Sequence, residues 1–150
     1  MFKHILVASD GSELAQSALT KAVALAKALN AELSVVWVAE PYAPQILAGT
    51  PYPFVPVMSS AEFEQQCQDI ATRLFADCRA IAAKAGMAEI HTLRETALQP
   101  YLGILAAARN HACDLLVMAS HGRRGISALV LGSETQKILA HTQLPVLVVR

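Results

Sequence analysis

The stretch Met118-Ala-Ser-His-Gly122-Arg-Arg-Gly125-Ile-Ser-Ala-Leu-Val-Leu-Gly132-Ser133 decides how this chain is read. It follows an apolar strand-like run, Leu115 to Met118, and ends where a helical pattern begins at Ser133. Glycine lacks a Cβ, so Gly122, Gly125 and Gly132 let the backbone turn sharply and approach other groups closely. The first N–H groups of a helix have no internal acceptor and carry partial positive charge, which makes a helix start a ready anion site. A strand, a basic glycine loop and a helix start in succession point to a phosphate cradle.

Working outward, the same strand-then-helix order repeats. Lys3 to Ser9 reads as an apolar strand, and Asp10 to Glu13 as a turn with capping-box spacing. Leu14, Ala18, Ala22, Leu25, Ala26 and Leu29 then recur at helical intervals, and Asn30 stops the helix. Glu32 to Ala39 is a second strand. Ser59-Ser-Ala-Glu62 is a capping box that opens a long helix through Phe63, Ile70, Leu74, Phe75 and Ile81, ended by Gly86. Glu89 to Arg94 alternates polar and apolar, which predicts a half-exposed third strand. Pro100 suits the first turn of a helix reaching about His111. Cys113 to Ala119 is strand four, Ser133 to His141 a helix, and Pro145 to Val149 strand five. Between strand two and the long helix, Glu40 to Met58 holds five prolines and no clear periodicity, so it is expected to be a mobile loop, lying over the crevice like a lid. This alternation predicts one α/β domain over 1–150, an open five-stranded parallel sheet with helices on both faces.

Composition excludes several function classes. Twelve basic and twelve acidic side chains give a formal net charge of zero, against the basic surplus of a nucleic-acid binder or a polybasic membrane module. No apolar run approaches the roughly 20 residues needed to span a bilayer. Met1-Phe-Lys-His leads straight into a strand without a signal-peptide pattern. Cys67, Cys78 and Cys113 show no CxxC or metal-finger spacing, so buried reduced thiols in a cytoplasmic protein are expected. His4, His91, His111 and His141 show no metal spacing either.

In open parallel sheets, ligands bind beyond the carboxyl ends of the strands at the switch point. Those ends carry Ser9-Asp10, Val38-Ala39-Glu40 and the glycine loop. If strands one and four are neighbours, Asp10 and the loop share one crevice. Loop N–H groups, the helix start and Arg123 or Arg124 suit phosphates; Asp10 suits ribose hydroxyls or a metal-coordinated water. Structural readings stand beside these. Asp10 can be a helix cap, Ser133 with Gln136 is itself a capping box, His121 can bond locally, and Trp37 suits core packing. The chain lacks a Walker loop, a GxGxxG fingerprint after strand one, a GxSxG elbow and a receiver-type acidic cluster, and no nucleophile stands beside a base. A fast enzyme is not expected.

The loop resembles the ATP-binding signature of the universal stress protein family, in which glycine, two residues, glycine and nine residues precede Gly-Ser or Gly-Thr. Here Gly122 is followed by nine residues and then Gly132-Ser133. His4-Ile-Leu-Val-Ala-Ser-Asp-Gly-Ser12 is similar to that family's first strand and turn, Asp114 to Gly125 to its fourth strand and loop, and Leu144 to Val149 to its ending. The resemblance implies a Rossmann-like sheet in the order 3-2-1-4-5 and a cytoplasmic homodimer, paired through strand 145–149. An apolar edge strand independently invites such pairing. It also implies a nucleotide-dependent stress-response regulator that binds ATP, or ADP or AMP, with or without Mg2+. Transferred residue by residue, adenine lies near Ser9 and Val38 and ribose near Asp10. Phosphates lie at Gly122, Arg123, Gly132 and Ser133, with Met118 and Ala119 lining the strand end. The alternatives are an interaction protein of the same fold with a vestigial site, and a slow ATPase or self-phosphorylating protein. One departure is Ala119, where the signature has its first glycine. A methyl group is tolerated there if φ is negative, as expected of a strand-ending residue.

Overall fold

The computed structural model describes residues 1–43, 58–122 and 131–150. Arg123, Arg124, Gly125 and the 44–57 portion of the expected loop lie outside the described residues.

The element order is β1 (His4–Ala8), α1 (Glu13–Leu29), β2 (Glu32–Ala39), α2 (Ser60–Lys84), β3 (His91–Thr96), α3 (Pro100–Asn110), β4 (Leu115–Ala119), α4 (Ser133–His141) and β5 (Val146–Val149). The strands form one parallel sheet in the order β3-β2-β1-β4-β5, so β1 lies between β2 and β4. Successive strand residues face opposite sides, and both sides are covered. Ile5, Val7, Leu33, Val35, Leu115 and Val117 pack with α1 and α2. Leu6, Val36, Leu116 and Met118 pack with α3 and α4. That two-sided burial explains why β1 and β4 read as continuous apolar runs.

Local chemistry sets the ends of the elements. The Ser59–Glu62 capping box forms as the sequence predicts. Three expectations move. The cap of α1 is Ser12, whose hydroxyl accepts from Ala15 N, while Asp10 accepts from Ser12 N and braces the turn ahead of the helix. The cap of α4 is Gly132, without a side-chain cap, and Ser133 is the first helical residue; Gln136 donates to Leu131 O instead of closing a box. The third strand runs His91–Thr96 in place of Glu89–Arg94, because β2 supplies partners from Ser34 up to Ala39. It is half-exposed, as its alternation predicts. Two described residues on either side of 44–57 are joined: Tyr42 Oη donates to Met58 O at 2.7 Å, and the Tyr42 ring packs on Phe63.

All three cysteines are free and buried. Burial is the main cause that pushes the Cys113 thiol up to about 11, with Asp114 and Glu32 adding to it. Among the described residues no helix is long and apolar enough to cross a membrane.

At the opposite end of the sheet from the glycine loop, Asp114 clamps β1 to β4. Its carboxylate accepts from Lys3 N at 2.7 Å and His4 N at 3.0 Å, and its own N–H donates to His4 O. Partial burial alone would raise its pKa, but the backbone N–H groups outweigh that and hold it below 3.8. A carboxyl depressed on folding stabilises above its unfolded pKa and loses that contribution as pH falls through the folded value. Asp114→Asn should therefore be less stable than the wild type at pH 7, with the gap closing below about pH 4. Urea midpoints of both proteins from pH 7 to pH 3 check this.

Candidate functional site

The carboxyl ends of β1, β2 and β4 open into one cavity of about 620 Å³, within the range of small-molecule pockets. Its lining includes Ser9, Asp10, Val38, Met118, Ala119, Gly122, Gly132 and Ser133. Eight of the nine residues nominated from the sequence thus meet around one space; the ninth, Arg123, lies outside the described residues. The pairing of β1 with β4 brings them together, because the chain leaves these two neighbouring strands toward helices on opposite faces.

Missing side-chain atoms shape this space. A Cβ on Gly122 would stand 2.5 Å from Asp10 Oδ2, so only glycine lets the loop after β4 lie against that carboxylate. A Cβ on Gly132 would meet the Ser120–His121 backbone at 3.1–3.3 Å. Ala119 ends β4, is buried, and has a negative φ. Its methyl is therefore carried without backbone strain.

The nominated side chains differ in what they can offer. Ser9 borders the cavity, but its hydroxyl accepts from Gly11 N at 3.3 Å. Burial pushes the nearby Cys78 thiol of α2 up, with Ser9 opposing. Asp10 is positioned by Ser12 N at 3.0 Å. Ser133 opens α4, and the N–H groups of Ser133, Glu134 and Thr135 are those for which a helix has no internal acceptor. His121 lines the cavity and bonds Ser120 Oγ through Nδ1 at 3.1 Å. Trp37 packs partly buried against the core on the α1–α2 side and also borders the cavity.

A scan against family models matches the universal stress protein family over residues 1–150. The chain belongs to the universal stress protein family. It is 38% identical to a universal stress protein of Thermus aquaticus, and the match covers all of both chains. Among solved structures it is similar to universal stress protein UspA from Lactobacillus plantarum, with a TM-score of 0.79, 25% identity, and 99% and 97% of the two chains covered. Two more distant structures share the fold. One is a universal stress protein in complex with cAMP (TM-score 0.69, 21% identity, 99% and 97% covered). The other is from Archaeoglobus fulgidus in complex with dAMP (TM-score 0.72, 17% identity, 99% and 98% covered).

Reading the sequence missed residues that build this universal stress protein's cavity. Thr135, almost fully buried, donates its hydroxyl to Ala119 O and Ser120 O at 3.1 and 3.2 Å, fastening the start of α4 to the end of β4. Gly132 N donates to Ser120 O at 2.7 Å. Gly103 of α3 lets Val38 close in, since a Cβ there would stand 2.7 Å from Val38 Cγ1. Glu134 reaches across to α3, whose N-cap residue Gln99 does not cap the helix with its own side chain, and accepts from Tyr101 N at 2.8 Å. A Thr or Gly inside a helical pattern carries no sequence mark of such a contact, though an interior helical glycine costs about 1 kcal/mol and so invites a packing reason.

Thr135→Val keeps the shape and removes the donor to two strand-end carbonyls. It should cost about 1–3 kcal/mol, measured by urea unfolding, with little change in secondary structure by circular dichroism.

Proposed function

We propose that this universal stress protein binds an adenine nucleotide in the cavity beyond β1, β2 and β4. ATP is the proposed ligand, with ADP and AMP as the alternatives, and the protein acts as a nucleotide-dependent stress-response regulator rather than a fast catalyst. The observation that carries this reading is the convergence of Asp10, Val38, Ala119, Gly122, Gly132 and Ser133 on a single cavity of about 620 Å³. The cAMP and dAMP complexes of two proteins of the same fold support the ligand class.

The residues fit the chemistry. The apolar walls at Val38 and Met118 suit a flat base, alongside the Ser9 backbone. Asp10, held at its turn by Ser12 N, suits ribose hydroxyls. Gly122, where a Cβ would crowd the Asp10 carboxylate, lets the loop approach the cavity closely, while Gly132 N is taken up by Ser120 O. The N–H groups of the first turn of α4 at Ser133 and the side chain of Arg123 suit phosphates. Mg2+ accompanying the nucleotide would bind through phosphate oxygens.

Calorimetric titration of the protein, stripped of bound nucleotide, with ATP and magnesium should show saturable micromolar binding. Asp10→Ala should weaken it by roughly tenfold or more, the worth of one or two hydrogen bonds to a charged acceptor. An absence of heat up to millimolar ATP would sink the reading and turn the search toward protein partners.

We also infer a homodimer through the strand at 145–149. β5 is an edge strand and its Leu147 is 40% exposed, an apolar edge of the kind that invites pairing. Sedimentation equilibrium should return twice the 16.0 kDa chain mass, and Leu147→Glu should return the monomer.

A further inference from the structure

Ser133 and Lys137 are four residues apart on α4 and both line the cavity, as residues on one helix face do. The cavity therefore continues along α4 by about one turn, roughly 5.4 Å, past the helix start. Opposite lies the beginning of α3, where Pro100 and Ile104, also four apart, line the cavity. Lys137 bridges these two helix starts. Its Nζ donates to Glu134 Oε1 at 2.8 Å and to Gln99 Oε1 at 3.1 Å, and it lies 5.6 Å from the Tyr101 ring centroid.

The charges around it are unbalanced. Among the described residues, the cavity lining carries the carboxylates Asp10, Glu40 and Glu134 and a single Lys, Lys137. An anionic ligand extending along α4 would meet Glu134 first, and Lys137 is the group that offsets it. The Lys137–Glu134 pair is only partly buried, with side chains 38% and 31% exposed, and such a pair is held weakly. Its release costs little, because Glu134 Oε2 keeps its bond to Tyr101 N and Gln99 is a neutral acceptor.

We propose that Lys137 is the residue that makes the cavity prefer a nucleotide with a long phosphate chain over a monophosphate. This rests on the nucleotide reading above. A single phosphate ends at the α4 start, by Ser133; a second and third extend along the helix face toward Lys137. The ammonium turns from Gln99 and Glu134 to the terminal phosphate. A compact cation with three rotatable donors suits that exchange.

The test is titration of ATP, ADP and AMP, at fixed magnesium, into the wild type and into Lys137→Gln and Lys137→Arg. Lys137→Gln should weaken ATP roughly tenfold, the worth of one charge-assisted contact, and change AMP by less than about twofold. Lys137→Arg should restore most of the ATP affinity. The wild type's preference for ATP over AMP should shrink as salt is raised. AMP binding reports that each variant is folded, and Lys137→Met supplies a second neutral variant should Lys137→Gln fail to fold. Equal weakening of ATP and AMP, or unchanged ATP binding in Lys137→Gln, overturns the assignment while leaving nucleotide binding intact. A wild type that binds none of the three overturns the nucleotide reading and this inference with it.

Discussion

Two carbonyls at the end of β4 govern much of the molecule. Ala119 and Ser120 are buried, and a buried carbonyl without a donor forfeits its full hydration energy. The chain leaves the strand here, travels through the glycine loop, and returns to supply the donors itself: Gly132 N and the Thr135 hydroxyl. The Ser120 N–H is met by Val149 O of β5 at 2.7 Å. This closure fixes where α4 begins. Once it is fixed, three successive residues have three directions. Ser133 lines the cavity, Glu134 caps α3, and Thr135 holds the strand.

The rest of the cavity follows from what is left out. α3 comes close to β2 because Gly103 has no Cβ to strike Val38, and the loop after β4 comes close to Asp10 because Gly122 has none. α1 approaches the sheet through Ala15, Ala18, Ala22 and Ala26, all buried small residues. Close helix-to-sheet packing on both faces leaves the strand ends as the place where the elements diverge. At the junction of β1 and β4 that divergence opens the space, which is why the sheet order and the site are one geometric fact.

Much of this was legible in the chain. Every strand and helix was anticipated, because each has an unambiguous period or a continuous apolar run between clear stops such as Asn30 and Gly86. Boundaries slipped where two polar residues compete for one role. Asp10 and Ser12 both can cap α1; the backbone gives the cap to Ser12 and leaves Asp10 to brace the turn. Ser133 matches a capping-box pattern, yet Gly132 stands at the cap because the Gly132 N–H is already committed to Ser120 O. β3 moved because the extent of an edge strand is set by its neighbour's free partners rather than by its own alternation. The cross-element contacts of Thr135, Glu134 and Gly103 were illegible for a different reason. Each joins residues distant in sequence, and nothing in a local pattern records the second partner.

Ala119 shows how the glycine signature divides by physical role. A glycine is needed where φ is positive or where another group occupies the volume of a Cβ. Gly122 meets the second condition against the Asp10 carboxylate, and Gly132 comes near it, with a Cβ tight against the Ser120–His121 backbone. Position 119 meets neither. It is the last residue of a parallel strand, its φ is negative, and its methyl forms part of the cavity wall beside Met118. The two positions where the backbone is crowded kept glycine, and the one position held in extended strand geometry did not. Exchange of glycine for alanine at a strand end also removes conformational freedom from the unfolded chain, so the departure from the signature favours stability while leaving the crowded half of the cradle as it was.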